Sequence, residues 1–385
     1  MCLKIKNLFL LILLLVACDS PQATLVPTPL PPPTATAWPR ARLKSPEYSI
    51  QAFLWWKPEI TKRDLTLVQQ LGFSWVKQSI AWRDIEKSGK GQYEWTLADD
   101  VVRRVAKRNL RLLVRIDRQP FWSQPTGTAP LENAPPANFD DFGSFCHVLA
   151  ERYKGQIAAY QVWNEPNLGR EWGNQPPNPA QYVELLKVCY LGIKTADPNA
   201  LVISAPMAPT GTSSDQVMPD DQYFEKMYAA GAAPYFDILG VNAPGYKAPP
   251  DMSPADVAAR PDLGGQRFFA FRHVEDIRAI MVKHGDADKQ IALLEFGWTT
   301  DLLHPDYAWH AVTEQQQADY LVGAYRYAYE HWAPWISIMA ALTLADPDWT
   351  QNDEQYWWAI TYPDWPANRV RPAYTALQNM PKPQK

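Results

Sequence analysis

The chain has 385 residues, 46% hydrophobic and 20% charged, with a formal net charge of −4 at pH 7. That is an ordinary globular composition, and an acidic balance without a basic run argues against a nucleic-acid partner, because neutralising phosphates takes clustered Lys and Arg. The histidines show no His-Glu-x-x-His spacing and no Cys-x-x-Cys partner, and no glycine-rich phosphate loop occurs, so neither a metal nor a cofactor is expected.

Residues 1–17 read as an export signal. Lys4 and Lys6 precede an unbroken apolar run from Leu8 to Val16, too short to span a bilayer. The run ends in Leu15-Val16-Ala17-Cys18, which resembles the bacterial lipobox, in which the cysteine becomes the first mature residue and is acylated. Cys18 is therefore the expected lipidation site, and the expected location is the extracytoplasmic side of a bacterial membrane; an uncleaved anchor or an incidental cysteine is the competing reading. Residues 18–44 form a Pro/Thr-rich linker, with Thr24–Pro39 too poor in apolar periodicity to fold and stiffened by proline.

From residue 45 to 385, strand-length apolar runs alternate with helix-period segments. The expected strands are Ser49–Leu54, Ser74–Ser79, Arg111–Asp117, Ala158–Asn164, Ala200–Ala205, Phe236–Asn242, Gln290–Glu295 and Trp335–Leu342. Helices between them include one opening at Asp99-Asp100, Tyr182–Lys194 behind Asn178-Pro179, and Glu314–Glu330. Eight repeats predict a closed (β/α)8 TIM barrel. An open doubly wound sheet is the alternative, but it calls for a Gly-rich turn after strand 1, where Trp55-Trp56-Lys57-Pro58 stands. Cys146 and Cys189 fall on apolar helix faces beside the fourth strand, which favours two buried thiols over a bridge.

Two of these strands stop at a glutamate. The run Gln156–Trp163 meets Asn164-Glu165-Pro166, and Gln290–Leu294 meets Glu295-Phe296-Gly297-Trp298. A buried strand has no need of a carboxylate at its end, and Pro166 cannot donate to a ladder, so each glutamate is placed at the rim of the sheet. Trp163-Asn164-Glu165-Pro166 followed by Leu294-Glu295-Phe296-Gly297 resembles the clan A glycoside hydrolases, especially the cellulase-like and β-xylosidase-like families. That resemblance implies retention of configuration, with Glu165 as acid/base at the end of strand 4 and Glu295 as nucleophile at the end of strand 7. It also implies that Asn164 binds a sugar 2-hydroxyl and, more loosely, that Tyr246 is the tyrosine that hydrogen-bonds the nucleophile. An arginine the clan tends to carry at the end of strand 2 is replaced by Lys77, which has the charge without the planar fork. Arg115 either compensates or forms a buried pair with Asp117.

Breaking an acetal takes a proton donor and an opposing anion, and two glutamates suffice. The chain's 17 Trp and 18 Tyr exceed what packing needs, and flat rings suit the C–H faces of sugars as well as a core. Trp122, Trp298 and Trp357, after strands 3, 7 and 8, are the candidate carbohydrate stackers. Three readings follow: a retaining glycosidase, a catalytically silent glycan-binding barrel, and a transporter's solute-binding lipoprotein, the last disfavoured because such receptors are two-lobed.

Overall fold

A computed structural model describes Trp38 and residues 42–55, 57–125, 127 and 129–382. The expected signal peptide, Cys18 and most of the linker lie outside the described residues. Eight parallel strands, β1 (Glu47–Gln51), β2 (Trp75–Ser79), β3 (Arg111–Ile116), β4 (Ile157–Val162), β5 (Leu201–Ser204), β6 (Ile238–Asn242), β7 (Gln290–Phe296) and β8 (Ile336–Ala341), pair in chain order. The first and last also pair, Glu47 opposite Ile338 through Ile50 opposite Ala341, so the sheet closes into a barrel.

Each strand is followed by a helix that covers it from outside. These are Pro58–Gln70, Thr96–Ala106, Phe139–Arg152, Pro179–Ala196, Asp220–Ala229, Val274–Lys283, Glu314–Tyr327 and Pro372–Asn379. Their starts carry local signals: proline in the first turn at Pro58, Pro179 and Pro372, side-chain caps from Asn138 and Asn178, and a capping box between Thr313 and Gln316. The predicted Glu314–Glu330 helix ends at Tyr327 and passes into a π-helical turn, Ala328–Trp332. Among the described residues no helix is long and apolar enough to cross a membrane.

Period-two alternation divides the strand side chains between two cores. Leu112, Val114 and Ile116 point outward to the helices, whereas Trp75, Leu113, Ala159, Ile203, Ile238, Leu294 and Ile338 fill the lumen. The lumen admits no side chain at Gly240, where a Cβ would collide with the Ser204 carbonyl and the Leu294 side chain. Two residues beyond the apolar layer the same strand faces turn polar, with Lys77 after Trp75, Arg115 after Leu113 and Gln161 after Ala159. That change sets the end of the barrel where chemistry is placed.

Two expectations are corrected. The first strand spans Glu47–Gln51 rather than Ser49–Leu54, because the chain leaves the ladder early and the Leu54 N–H donates to the Gln78 side chain. Cys146 and Cys189 are fully buried but joined in a disulfide, with Cα atoms 5.3 Å apart. Helices Phe139–Arg152 and Pro179–Ala196 meet at Gly143 and Gly192, and a Cβ on Gly192 would strike the Gly143 carbonyl. This close crossing brings the two thiols together; apolar periodicity had shown only that both face inward.

Candidate active site

The two strand-end glutamates reach one cleft, each by a local departure from regular strand geometry. After Val162, Trp163 and Glu165 adopt left-handed backbone conformations, φ 74° and 42°. For bulky residues such conformations cost about 1–3 kcal/mol each. Full burial of the Trp163 ring, packed edge-on to Phe142 and Trp172 with its Nε1–H donated to the Glu171 carbonyl, offsets that strain. The Glu165 N–H donates to the Pro206 carbonyl, which fixes the acid against the neighbouring strand's loop.

At β7 the device is a bulge. Leu293 and Phe296 pack in the outer core and Leu294 in the lumen, so simple alternation would turn Glu295 outward. The register slips between Val241 and Asn242, and Asn242 pairs with Glu295. An extra residue therefore sits between the outward pair, and Leu294 and Glu295 both face the lumen.

The surroundings of the two acids differ. Glu295 is contacted by Lys77 Nζ at 3.2 Å and by Arg115 Nη1 at 3.6 Å. Lys77 is wholly buried, and its Nζ also donates to the Leu294 carbonyl at 2.9 Å. Burial pulls the Lys77 ammonium below its usual pKa, while Glu295 opposes the shift. Arg115 lies between Asp117, 2.9 Å away, and Glu295, so it is both the buried partner of Asp117 and a second cation on the nucleophile candidate. Glu165 has no such support. It accepts a hydrogen bond from Asn242 Nδ2 at 2.8 Å, and the largely exposed Arg170 comes no nearer than 3.7 Å. Burial first, then the charges of Glu295 and Glu171, push the Glu165 carboxyl up to about 7. Glu165 is thus biased toward the neutral acid, while Glu295 sits between two cations.

Both acids line a cleft of about 550 Å³ with Phe53, Arg118, Arg170, Asn242, Tyr246, Tyr307, His310, Trp349 and Trp358. Burial drives the His310 ring down to about 4, so it is neutral near pH 7. Among the described residues no group of three or more His, Cys, Asp or Glu gathers to hold a metal ion.

The other sequence candidates fall in several places. Tyr246 lines the cleft, yet its hydroxyl donates to the Pro209 carbonyl at 3.1 Å; the contacts to Glu295 come from Lys77 and Arg115. Lys77 supports Glu295 from below, too deeply buried to meet a ligand. Asn164 is buried, with its Oδ1 accepting from Gln161 Nε2 at 3.2 Å. Trp298 is corrected to a core residue: it is fully buried, its Nε1–H donates to the Ala248 carbonyl, and Gly245 lies flat on its ring. Trp122 turns away to pack on Trp82 and donate to the Glu86 carbonyl. Trp357 donates to the Gln351 carbonyl, and on the same short helix, Glu354–Trp358, it is Trp358 that faces the cleft. Arg118, Arg170, Tyr307 and His310 carried no motif; they belong to loops that only the closed barrel brings together.

A parallel (β/α)8 barrel with two carboxyls in unlike surroundings, in a cleft at the C-terminal rim, is the class that fold and site define. No family model and no curated protein matches the sequence. In fold, the chain is similar to a family 39 glycoside hydrolase from Bacteroides cellulosilyticus (TM-score 0.65, 16% identity, 87% of this chain and 63% of that one). It is likewise similar to a family 39 β-xylosidase from Caulobacter crescentus (0.60, 17%, 88% and 72%) and to a family 5 subfamily 18 protein from Streptomyces cattleya solved with GlcNAc (0.62, 12%, 89% and 83%). The chain thus spans less than two thirds of the Bacteroides protein's length.

Proposed function

We propose that the protein hydrolyses O-glycosidic bonds of an oligo- or polysaccharide with retention of configuration. Glu165 protonates the leaving oxygen, Glu295 attacks the anomeric carbon, and Glu165 then deprotonates the water that releases the sugar. The observation that carries this reading is the unlike surroundings of the two carboxyls in one cleft. Glu165 has a pKa raised to about 7, whereas Glu295 lies beside Lys77 and Arg115. The fold shared with glycoside hydrolases supports the same reading. Phe53, Trp349 and Trp358 supply ring faces, Phe53 edge-on to Trp349 at 4.9 Å. Measuring hydrolysis across a panel of aryl glycosides and plant, fungal and bacterial polysaccharides, with the anomer first released followed by NMR, tests the reading. An inverted product would discard Glu295 as nucleophile, and inertness toward the whole panel would favour a silent glycan-binding barrel.

We also propose that the mature chain begins at an acylated Cys18 and is tethered outside a bacterial membrane, on the strength of the Leu15-Val16-Ala17-Cys18 motif. The Cys18→Ser variant is expected in the soluble fraction; its retention on membranes would overturn the tether.

A further inference from the structure

The end of the barrel opposite the cleft carries a charge pattern that hydrolysis does not use. The loops leading into the strands gather at this N-terminal face, and Arg42, Lys44, Arg108, Arg111 and Lys382 ring one depression there, of about 1280 Å³. Lys107, ahead of β3, and Lys154, ahead of β4, add two exposed cations to the same loop layer. Most acids of these loops are turned inward and already matched. Glu47 pairs with Arg111, Asp237 with Lys194 at 2.6 Å and Asp286 with Lys289 at 2.9 Å, all three acids buried. Only Asp288 and Glu330 are exposed among the described residues of these loops, whereas Arg42, Lys44, Lys107 and Lys154 make no ion pair among the described residues.

The upstream chain enters at this same face. The Leu43 N–H donates to Gln290 Oε1 and the Gln290 side chain donates back to the Leu43 carbonyl, at 2.9 and 3.0 Å, pinning the segment beneath the barrel. We propose that the N-terminal face docks on an anionic lipid surface, its unpaired cations meeting headgroup phosphates, so that the cleft at the other end faces away from the bilayer. The proposal draws its membrane from the export reading, but the affinity of the face is separable from the acyl tether, and so is its test.

The test uses the full chain carrying Cys18→Ser, with no lipid attached, sedimented with vesicles of phosphatidylglycerol and phosphatidylcholine or of phosphatidylcholine alone. Binding is expected only with the anionic vesicles and is expected to weaken with salt, as screening demands. Each cation at such a surface is worth roughly a fivefold gain in partitioning, so Lys44→Gln, Lys107→Gln and Lys154→Gln together are expected to weaken binding by about 100-fold. A triple with the same net charge on the cleft side, Lys57→Gln, Lys87→Gln and Lys247→Gln, is expected to stay within about twofold, as those residues would not meet the surface. Equal losses in the two triples, or no preference for anionic vesicles, would overturn the proposal. So would saturable binding of inorganic phosphate that disappears in the first triple, which would make the depression a small-anion site. Both triples are expected to keep wild-type glycoside hydrolysis; a chain that binds vesicles but cleaves nothing would sink the hydrolysis reading and leave this one standing.

Discussion

The rims of β4 and β7 hold the same side chain and treat it in opposite ways. Beside Glu295 the lumen supplies two cations, one of them wholly buried; beside Glu165 it supplies an amide, one loosely placed arginine and the charge of a second glutamate. Identical carboxyls are made unlike by what the neighbouring strands present. β2 and β3 deliver Lys77 and Arg115 to the β7 side, while β6 delivers Asn242 to the β4 side. Burial and the neighbouring carboxylates raise Glu165, and Arg170 and Asn242 offset that rise only in part.

If this asymmetry runs the chemistry, four experiments strain it. Glu295→Ala removes the attacking group, and kcat is expected to fall by at least about 10⁴-fold on every substrate, because no other group replaces a covalent nucleophile. A loss below tenfold would place the nucleophile elsewhere. Glu165→Ala is expected to cost roughly 10²–10⁴-fold with poor leaving groups but little in the first step with a dinitrophenyl glycoside, which departs without a proton. Azide should then speed this variant's turnover and give a glycosyl azide of retained configuration, whereas with Glu295→Ala it should give the inverted azide. Exchanged responses would reverse the two roles.

Lys77→Met tests the Glu295 side directly. With one of two cations gone, kcat/KM should fall by about 10–100-fold, as expected when a buried charge loses a partner. An unchanged kcat/KM would reduce Lys77 to a packing residue. The smallest effect is expected from Arg170→Ala. Glu165 must carry its proton for the first step, so wild-type activity should decline as pH rises through about 7. Arg170 favours the ionised form from 3.7 Å, so removing it should make the proton harder to lose and shift the basic limb upward, by less than about one unit for so exposed a partner. A downward shift would contradict the electrostatic account of this rim.

Much of this architecture was legible in the residues themselves. Apolar runs bounded by turn residues located all eight strands, most within two residues at each end, because a parallel barrel strand is buried on both faces and announces itself by composition. The two glutamates were legible for the converse reason: a carboxyl at the end of such a run has no stabilising role there, so its presence signals the rim. Tertiary structure alone decided the rest. The β7 bulge that turns Glu295 inward appears only against β6, since a slip of register is a property of two strands, and no period within Gln290–Phe296 reveals it. Arg115 could be read as partner to Asp117 or as a cation near Glu295; it is both, because barrel closure sets β3 and β7 across one lumen. Trp298 and Trp357 looked like stackers, since composition shows that a ring is available but not which side of a loop it takes. Cys146 and Cys189 were placed on inward faces by helical period, yet the bridge between them depends on Gly143 and Gly192 letting two helices touch. A sequence records which residues prefer burial, and period two or 3.6 records a face; which buried groups meet across 43 or 218 positions is fixed only when the barrel closes.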